Sequence, residues 1–258
     1  MSSWNPWHGC RKFSSGCLNC YVYRIDSKFG RDPSNFCLTS AFSLPLEKFR
    51  GGKNKDSYKL QPKDGIVYTC FSSDFFFEDA DQHRLEAWNM IRRRPDLHFF
   101  IPTKRIHRIA DCLPPDWGDG YENTTIACTA ENQAMADQRL PLFISLPIQQ
   151  REIIVEPMLE KMDISHYLSG IAHVTAGGES GTDARPCDLQ WIVALQQQCR
   201  RADVPFWFKQ TGARFVNEKG ISVSVPRMNQ QRLAANYRLD FKPISPPYLS
   251  NEHKEYLS

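Results

Sequence analysis

Short apolar runs alternate with amphipathic stretches along most of the chain, and each run ends on polar residues. Residues 66–71 predict a strand that gives way to Ser72, Ser73 and Asp74. A helix over 81–93 follows, with Leu85, Trp88 and Ile91 at helical spacing on one face. A strand at 98–101 ends at Thr103, Lys104 and Arg105, and a short helix runs to about Cys112. Pro114, Pro115, Gly118 and Gly120 then mark a loop. A strand at 124–128 leads to Glu131 and to Asn132, a residue type that caps the helix expected as far as Phe143. Strands at 152–155 and 173–176 end at Glu156-Pro157 and Gly177-Gly178-Glu179-Ser180. A helix over 189–201, with Leu189, Ile192, Val193 and Cys199 inward, precedes a last strand at 205–208 ending in Lys209-Gln210.

Strands that read as continuous apolar runs, joined through helices, indicate a parallel sheet buried on both faces. Six such units in series predict an α/β fold, a parallel β/α barrel of the TIM type, complete or partial. A doubly wound open sheet is the alternative. In a barrel the C-terminal strand ends build the site. Ser72, Asp74, Lys104, Glu131, Glu156, Glu179, Lys209 and Gln210 are therefore expected around one mouth. Two segments break the rhythm. Residues 44–65, rich in Lys, Gly and Pro, read as an inserted loop or lid. Residues 214–258 read as a tail, with a hairpin over 215–225 turning near Lys219-Gly220.

Composition narrows the class. At 258 residues, 41% hydrophobic and 24% charged, the chain builds its core without a metal or disulfide staple. The net charge of +3 is far from a dedicated nucleic-acid binder's footprint. The basic triplet Arg92, Arg93 and Arg94 sits at a helix end and is read as a favourable dipole interaction. The first residues lack the basic and apolar regions of a signal peptide, and no apolar run reaches membrane-spanning length, so a cytoplasmic protein without a membrane partner is expected. Nine cysteines, an odd number, argue for thiols or metal ligands over a disulfide framework. Cys70, Cys112, Cys128, Cys187 and Cys199 lie in or beside apolar segments and read as small core residues.

Cys10, Cys17 and Cys20 differ. Their C-x6-C-x2-C spacing brings two thiols together in a tight turn, and Gly9 and Gly16 relax the loop that brings the third. Three thiolates suit a [4Fe-4S] cluster with one open iron, because a four-cysteine site fills every iron. An open iron can bind and reduce S-adenosylmethionine (SAM). Zinc competes, since His8 completes a Cys3His set. Spacing alone does not separate the two. Context favours the cluster, because the loop opens a chain that already has its own core.

These residues carry a resemblance. Trp4-Asn5-Pro6 through Cys20-Tyr21, Phe71-Ser72-Ser73-Asp74-Phe75-Phe76, Thr103-Lys104-Arg105, Glu131-Asn132-Gln133, Glu156-Pro157, Gly177 through Gly181 and Phe208 through Gly212 resemble a family of bacterial and phage-encoded proteins of unknown function with a radical-SAM-like three-cysteine motif. The resemblance implies a radical-SAM-like β/α barrel over 1–212, with a C-terminal extension over 213–258. It also implies an iron–sulfur cluster on Cys10, Cys17 and Cys20. The first gap is six residues where the common radical SAM motif has three, and Gly177-Gly178-Glu179 lies on a late strand, where the common Gly-Gly-Glu lies on the second. The expected function is radical chemistry begun by reductive cleavage of SAM, on a substrate that includes nucleotides or nucleic acid among its candidates. An electron donor is the expected partner. Glu131, Glu156, Gly177, Gly178, Glu179, Lys209 and Gln210 are the expected SAM or substrate contacts. The alternatives are a zinc-stapled nucleic-acid-binding or interaction module and a SAM-independent iron–sulfur electron-transfer or sensor protein.

Overall fold

The computed structural model describes residues 2–242. Its main sheet contains β1 (Ser2–Trp4), β2 (Ile66–Thr69), β3 (His98–Thr103), β4 (Thr124–Thr129), β5 (Gln150–Val155), β6 (His173–Gly177) and β7 (Phe206–Gln210). Each strand pairs in parallel with the next, so spatial order equals chain order and β1 and β7 are the edges. The sheet curls into a half-barrel flanked by helices, a partial TIM-like arrangement. The helices are α1 (Tyr21–Lys28), α2 (Asp81–Arg92), α3 (Ile109–Cys112), α4 (Gln133–Ser145), α5 (Leu189–Arg201) and α6 (Arg227–Asn236). The sequence pattern anticipates six strands. It misses β1 because Ser2-Ser3-Trp4 offers a single apolar side chain, yet Trp4 is fully buried opposite Thr69.

One face of the sheet carries the core. Val67, Phe99, Ile101, Ile126, Ile153, Val174, Phe206 and Phe208 are buried beneath Trp88 and Ile91 of α2, Leu140 and Phe143 of α4, and Ile192 and Leu195 of α5. The strands alternate. Their other register, which includes Tyr68, Phe100, Ile154 and Trp207, faces the concave side and does not belong to that core.

Local details correct two expectations and add to a third. Leu85 does not face inward; it is 53% exposed, and Arg84 takes the inner position. There the Arg84 guanidinium donates to the carbonyls of Phe75 and Phe77, so a hydrogen-bonding side chain outcompetes an apolar one. The basic triplet does not simply serve the helix dipole. Arg94 is buried, donates to the carbonyls of Pro45 and Leu60, and stacks on Tyr58. Residues 44–65, which read as an inserted loop or lid, are tied at both ends to the core through Arg94, with Pro45 and Leu60 buried and residues 51–56 exposed.

Residues 213–242 pack on the same core. Arg214–Val216 and Ser222–Ser224 form the expected hairpin, closed by a turn in which Gly220 adopts φ +72. Phe215 and Ala234 are fully buried. Residues 243–258 of the expected tail lie outside the described residues. Cys70, Cys112, Cys128, Cys187 and Cys199 are buried, as their apolar surroundings predict. Among the described residues no helix is long and apolar enough to cross a membrane.

Candidate functional site

The cysteine loop leaves the C-terminal end of β1, the same end at which β2–β7 present their polar residues. The topology therefore brings the loop and the strand ends together. Gly9 adopts φ +95, and a Cβ there would stand 2.2 Å from the Asn35 carbonyl oxygen, so only glycine fits. Gly16 lies in a short turn (Ser15–Cys17) pressed on Glu131, where a Cβ would come within 2.9 Å of the carboxyl carbon. The Cys20 amide donates to the Cys17 carbonyl at 3.3 Å, and α1 begins one residue later.

The loop is fastened on two sides. On the side of β2 and β3, Asp74 accepts from the Thr103 hydroxyl at 2.8 Å and the Lys104 amide at 3.1 Å, and Trp7 donates its indole N–H to the Asp74 carbonyl at 3.2 Å. Ser72 donates to the Trp7 carbonyl and Ser73 to that of Gly9. Arg105 reaches the Arg11 carbonyl at 3.1 Å and lies 3.6 Å from the Cys10 sulfur. The side chains of Asn5, Ser72, Ser73 and Asp74 thus build the loop's seat. Phe75 locks that seat to the core between Trp7 and Trp88, at centroid distances of 5.3 and 4.8 Å.

On the other side two carboxylates hold the loop. Glu131 is fully buried, accepts from the Gly16 amide at 2.9 Å and pairs with Arg139 at 2.9 Å. Burial alone would raise its pKa, but the Ser14 hydroxyl, the Arg139 charge and the Gly16 amide together prevail and hold it below the ordinary carboxylate value. Glu179 accepts from Asn19 at 3.0 Å and from the Arg185 guanidinium at 2.7 and 3.0 Å. Arg185 in turn donates to the Ser15 carbonyl at 3.0 Å. Burial works against Glu179's ionisation too, and Arg185 with Asn19 overcomes it, so its pKa is lowered. Arg139 and Arg185 were missed in the sequence; the only signal was a basic residue downstream of each acidic one.

The glycine pair couples two strand ends. A Cβ on Gly178 would sit 2.2 Å from the Thr211 carbonyl oxygen, and one on Gly212, at φ +78, would come within 2.7 Å of Gly178 and 2.8 Å of Glu179. The Gly178 amide donates to Gln210, and the Gln210 side chain donates back to the Gly178 carbonyl, each at 3.0 Å. Gly177 leaves space beside Gln210 and Glu156. Glu156 pairs with Lys209 at 2.7 Å, with both side chains half-buried. Tyr21 lies near them, and its pKa is raised by burial and by the charges of Cys20, Cys70 and Glu156.

Of the residues expected to contact a ligand, Glu131 and Glu179 commit their oxygens to the loop, while Gly177, Gly178 and Gln210 join strand ends. Glu156 and Lys209 remain facing the mouth as an ion pair. Cys10, Cys17 and Cys20 are free, partly exposed thiols. Burial and the nearby Asp74 charge push the Cys10 thiol up to about 12, and Arg105 opposes them. His8 is engaged elsewhere, its Nε2 lying 2.7 Å from buried Asp26. Among the described residues no three or more His, Cys, Asp or Glu side chains gather as metal ligands. The donors suit a cluster in kind, as soft thiols on one loop, and the arrangement does not yet converge them.

Fold and site together define a class, a half-barrel α/β protein whose mouth is roofed by a three-cysteine loop. The chain belongs to the DUF5131 family, described as a protein of unknown function, whose model matches residues 1–240. No curated protein and no solved structure matches it.

Proposed function

We propose that the protein is a radical SAM-type iron–sulfur enzyme. The observation that carries this reading is the loop itself: one buried and one partly exposed ion pair and the Asp74 seat fix its backbone over the barrel mouth, while its three thiols form no disulfide and stay partly exposed. Cys10, Cys17 and Cys20 would hold the [4Fe-4S] cluster. Loading must draw the three sulfurs together and remove their protons, which makes it pH-dependent. When bound, the cluster supplies one-electron reduction of SAM at its open iron. The chain's own residues do the rest. Glu131–Arg139 and Glu179–Arg185 hold the loop in place. Glu156 offers a carboxylate to an ammonium, and Lys209 offers a cation to a carboxylate. Such positioning and water exclusion are the protein's share when a cofactor carries the chemistry.

The test is anaerobic reconstitution with iron and sulfide, reduction with dithionite, and paramagnetic resonance with and without SAM. The expected result is a reduced four-iron signal that shifts on SAM addition and disappears when Cys10, Cys17 and Cys20 are replaced by alanine. A colourless protein with one tightly held zinc, released by His8→Ala, overturns the reading in favour of a stapled binding module. A cluster indifferent to SAM makes the protein an electron carrier or sensor.

A further inference from the structure

We propose that the concave face of the half-barrel is a binding trough for a planar heteroaromatic ring that carries an amino group and no phosphate. A closed β/α barrel fills its interior with packed layers of side chains. Here the core lies on the other side of the sheet, and the inward register is left apart from it. That register is not polar by default. Tyr68 of β2 and Phe100 of β3 form one aromatic wall, with ring centroids 5.6 Å apart. Trp207 of β7, mid-strand and 39% exposed, supplies another, in register with Thr175. A large exposed indole flanked by fully buried phenylalanines costs apolar burial, which a flat ligand restores.

Between the walls stands an acceptor. Glu152 of β5 is opposite His173 of β6, and its carboxylate is 3.6 Å from the imidazole Nδ1. That is too long for a hydrogen bond, so the carboxylate keeps capacity for a ligand N–H. Both side chains are about one-fifth exposed, at 22% and 20%. Glu152 and the aromatic pair lie in the same inward register, with only β4 between β3 and β5. The inward positions of β2–β7 hold no arginine, and their one lysine, Lys209, is taken by Glu156 at 2.7 Å. Besides the His98 and His173 imidazoles, these positions offer the Glu152 carboxylate, which repels phosphate and favours a neutral or cationic ring with an N–H donor. The inference needs no metal, and it touches the proposed function in that the adenine of SAM is one such ring; ring binding by the protein without a cluster tests the trough alone.

The test titrates the full-length protein with 9-methyladenine, and separately with 9-methylpurine, which lacks the amino group. Tryptophan fluorescence and calorimetry are the readouts. The expected result is quenching by 9-methyladenine, absent in Trp207→Phe, with about tenfold weaker binding of 9-methylpurine, the size expected of one charge-assisted hydrogen bond. Glu152→Gln should abolish that preference. Tyr68→Leu should weaken both probes alike and serves if Glu152→Gln does not fold. Adenosine 5′-monophosphate should bind more weakly than adenosine. The proposal is overturned if neither probe gives heat or quenching, if both bind the native protein equally, if quenching survives in Trp207→Phe, or if the phosphate strengthens binding.

Discussion

The two faces of the sheet are built from the same strands, and the hydrophobic core lies on one of them. On the other, Thr125, Ala127 and Thr129 of β4 are buried, while Tyr68, Phe100 and Trp207 stay partly open. Phe206 and Phe208 of β7 are 1% exposed against the helices, while Trp207 between them is 39% exposed on the concave side. The same contrast separates Val67 from Tyr68 and Phe99 from Phe100. A half-barrel therefore moves its stabilising core outward, between sheet and helices, and frees its inward register. The cysteine loop divides in the same way. Its backbone is fixed by buried groups, while its three thiols stay partly exposed, with buried Arg105 approaching the Cys10 sulfur at 3.6 Å. Stability and binding are carried by different atoms of the same segments.

The sharpest way to break this contrast is to truncate neighbours on β7. Phe208→Ala should cost about 3–5 kcal/mol, the usual cost of removing a buried aromatic side chain. Trp207→Ala should stay within about 0.5 kcal/mol, as for surface sites. Urea unfolding of the two variants decides it, and equal losses would mean the concave face is also a packed core. Next come the ion pairs. Arg139→Met strands a fully buried Glu131 and should cost about 3 kcal/mol, as breaking a buried pair does. Lys209→Met leaves Glu156 partly solvated and should cost about 1 kcal/mol or less. Hydrogen exchange should show the Ser15–Cys17 turn loosened in the first variant only, through the lost Glu131 contact.

Thiol chemistry separates loop from core by a different measurement. Cys128, Cys187 and Cys199 are pushed up to about 12 by burial. At pH 8 only about one in ten thousand of such thiols is ionised, so iodoacetamide should label them at least a thousandfold more slowly than exposed Cys37. The sign of the linkage follows. The folded state keeps protons that the unfolded chain loses above its ordinary thiol value of 9.0, so these groups contribute fully below pH 9. Their contribution falls as pH rises toward 12. The melting temperature should decline across that window, and a flat profile would mean the three thiols are solvated.

The strand ends and the cysteine loop were legible in the sequence because both depend on local pattern: apolar runs, polar punctuation and a fixed cysteine spacing. What each polar residue does was not. Glu131 and Glu179 read as ligand contacts because a carboxylate at a strand end is open in sequence. Whether Arg139 or Arg185 claims it depends on how a helix and a loop fold back. The concave face was hidden for a similar reason. A run such as Phe99-Phe100-Ile101 reads as buried on both sides, and only the incomplete closure of the sheet exposes Phe100. The edge strand β1 was too short to leave a signal at all.

Helix α2 offers the smallest effect, and it tests how a helical pattern misleads. Leu85, Trp88 and Ile91 share the spacing of one buried face, yet Leu85 is 53% exposed. Arg84 replaces it because the loop containing Phe75 and Phe77 turns two backbone carbonyls toward the helix, and buried carbonyls need donors. The Arg84 guanidinium also binds Asp81 and lies 3.1 Å from the Cys112 sulfur, so its charge is compensated within the fold. Leu85→Ser should therefore change stability by no more than about 0.5 kcal/mol, as at other exposed positions. Arg84→Leu restores the apolar pattern and should destabilise by about 2 kcal/mol, because it strands those carbonyls. Thermal unfolding of the two variants in parallel is the measurement. If Arg84→Leu were the milder change, hydrophobic periodicity would outweigh backbone hydrogen bonding on this helix, and the seat of the cysteine loop would not depend on Arg84.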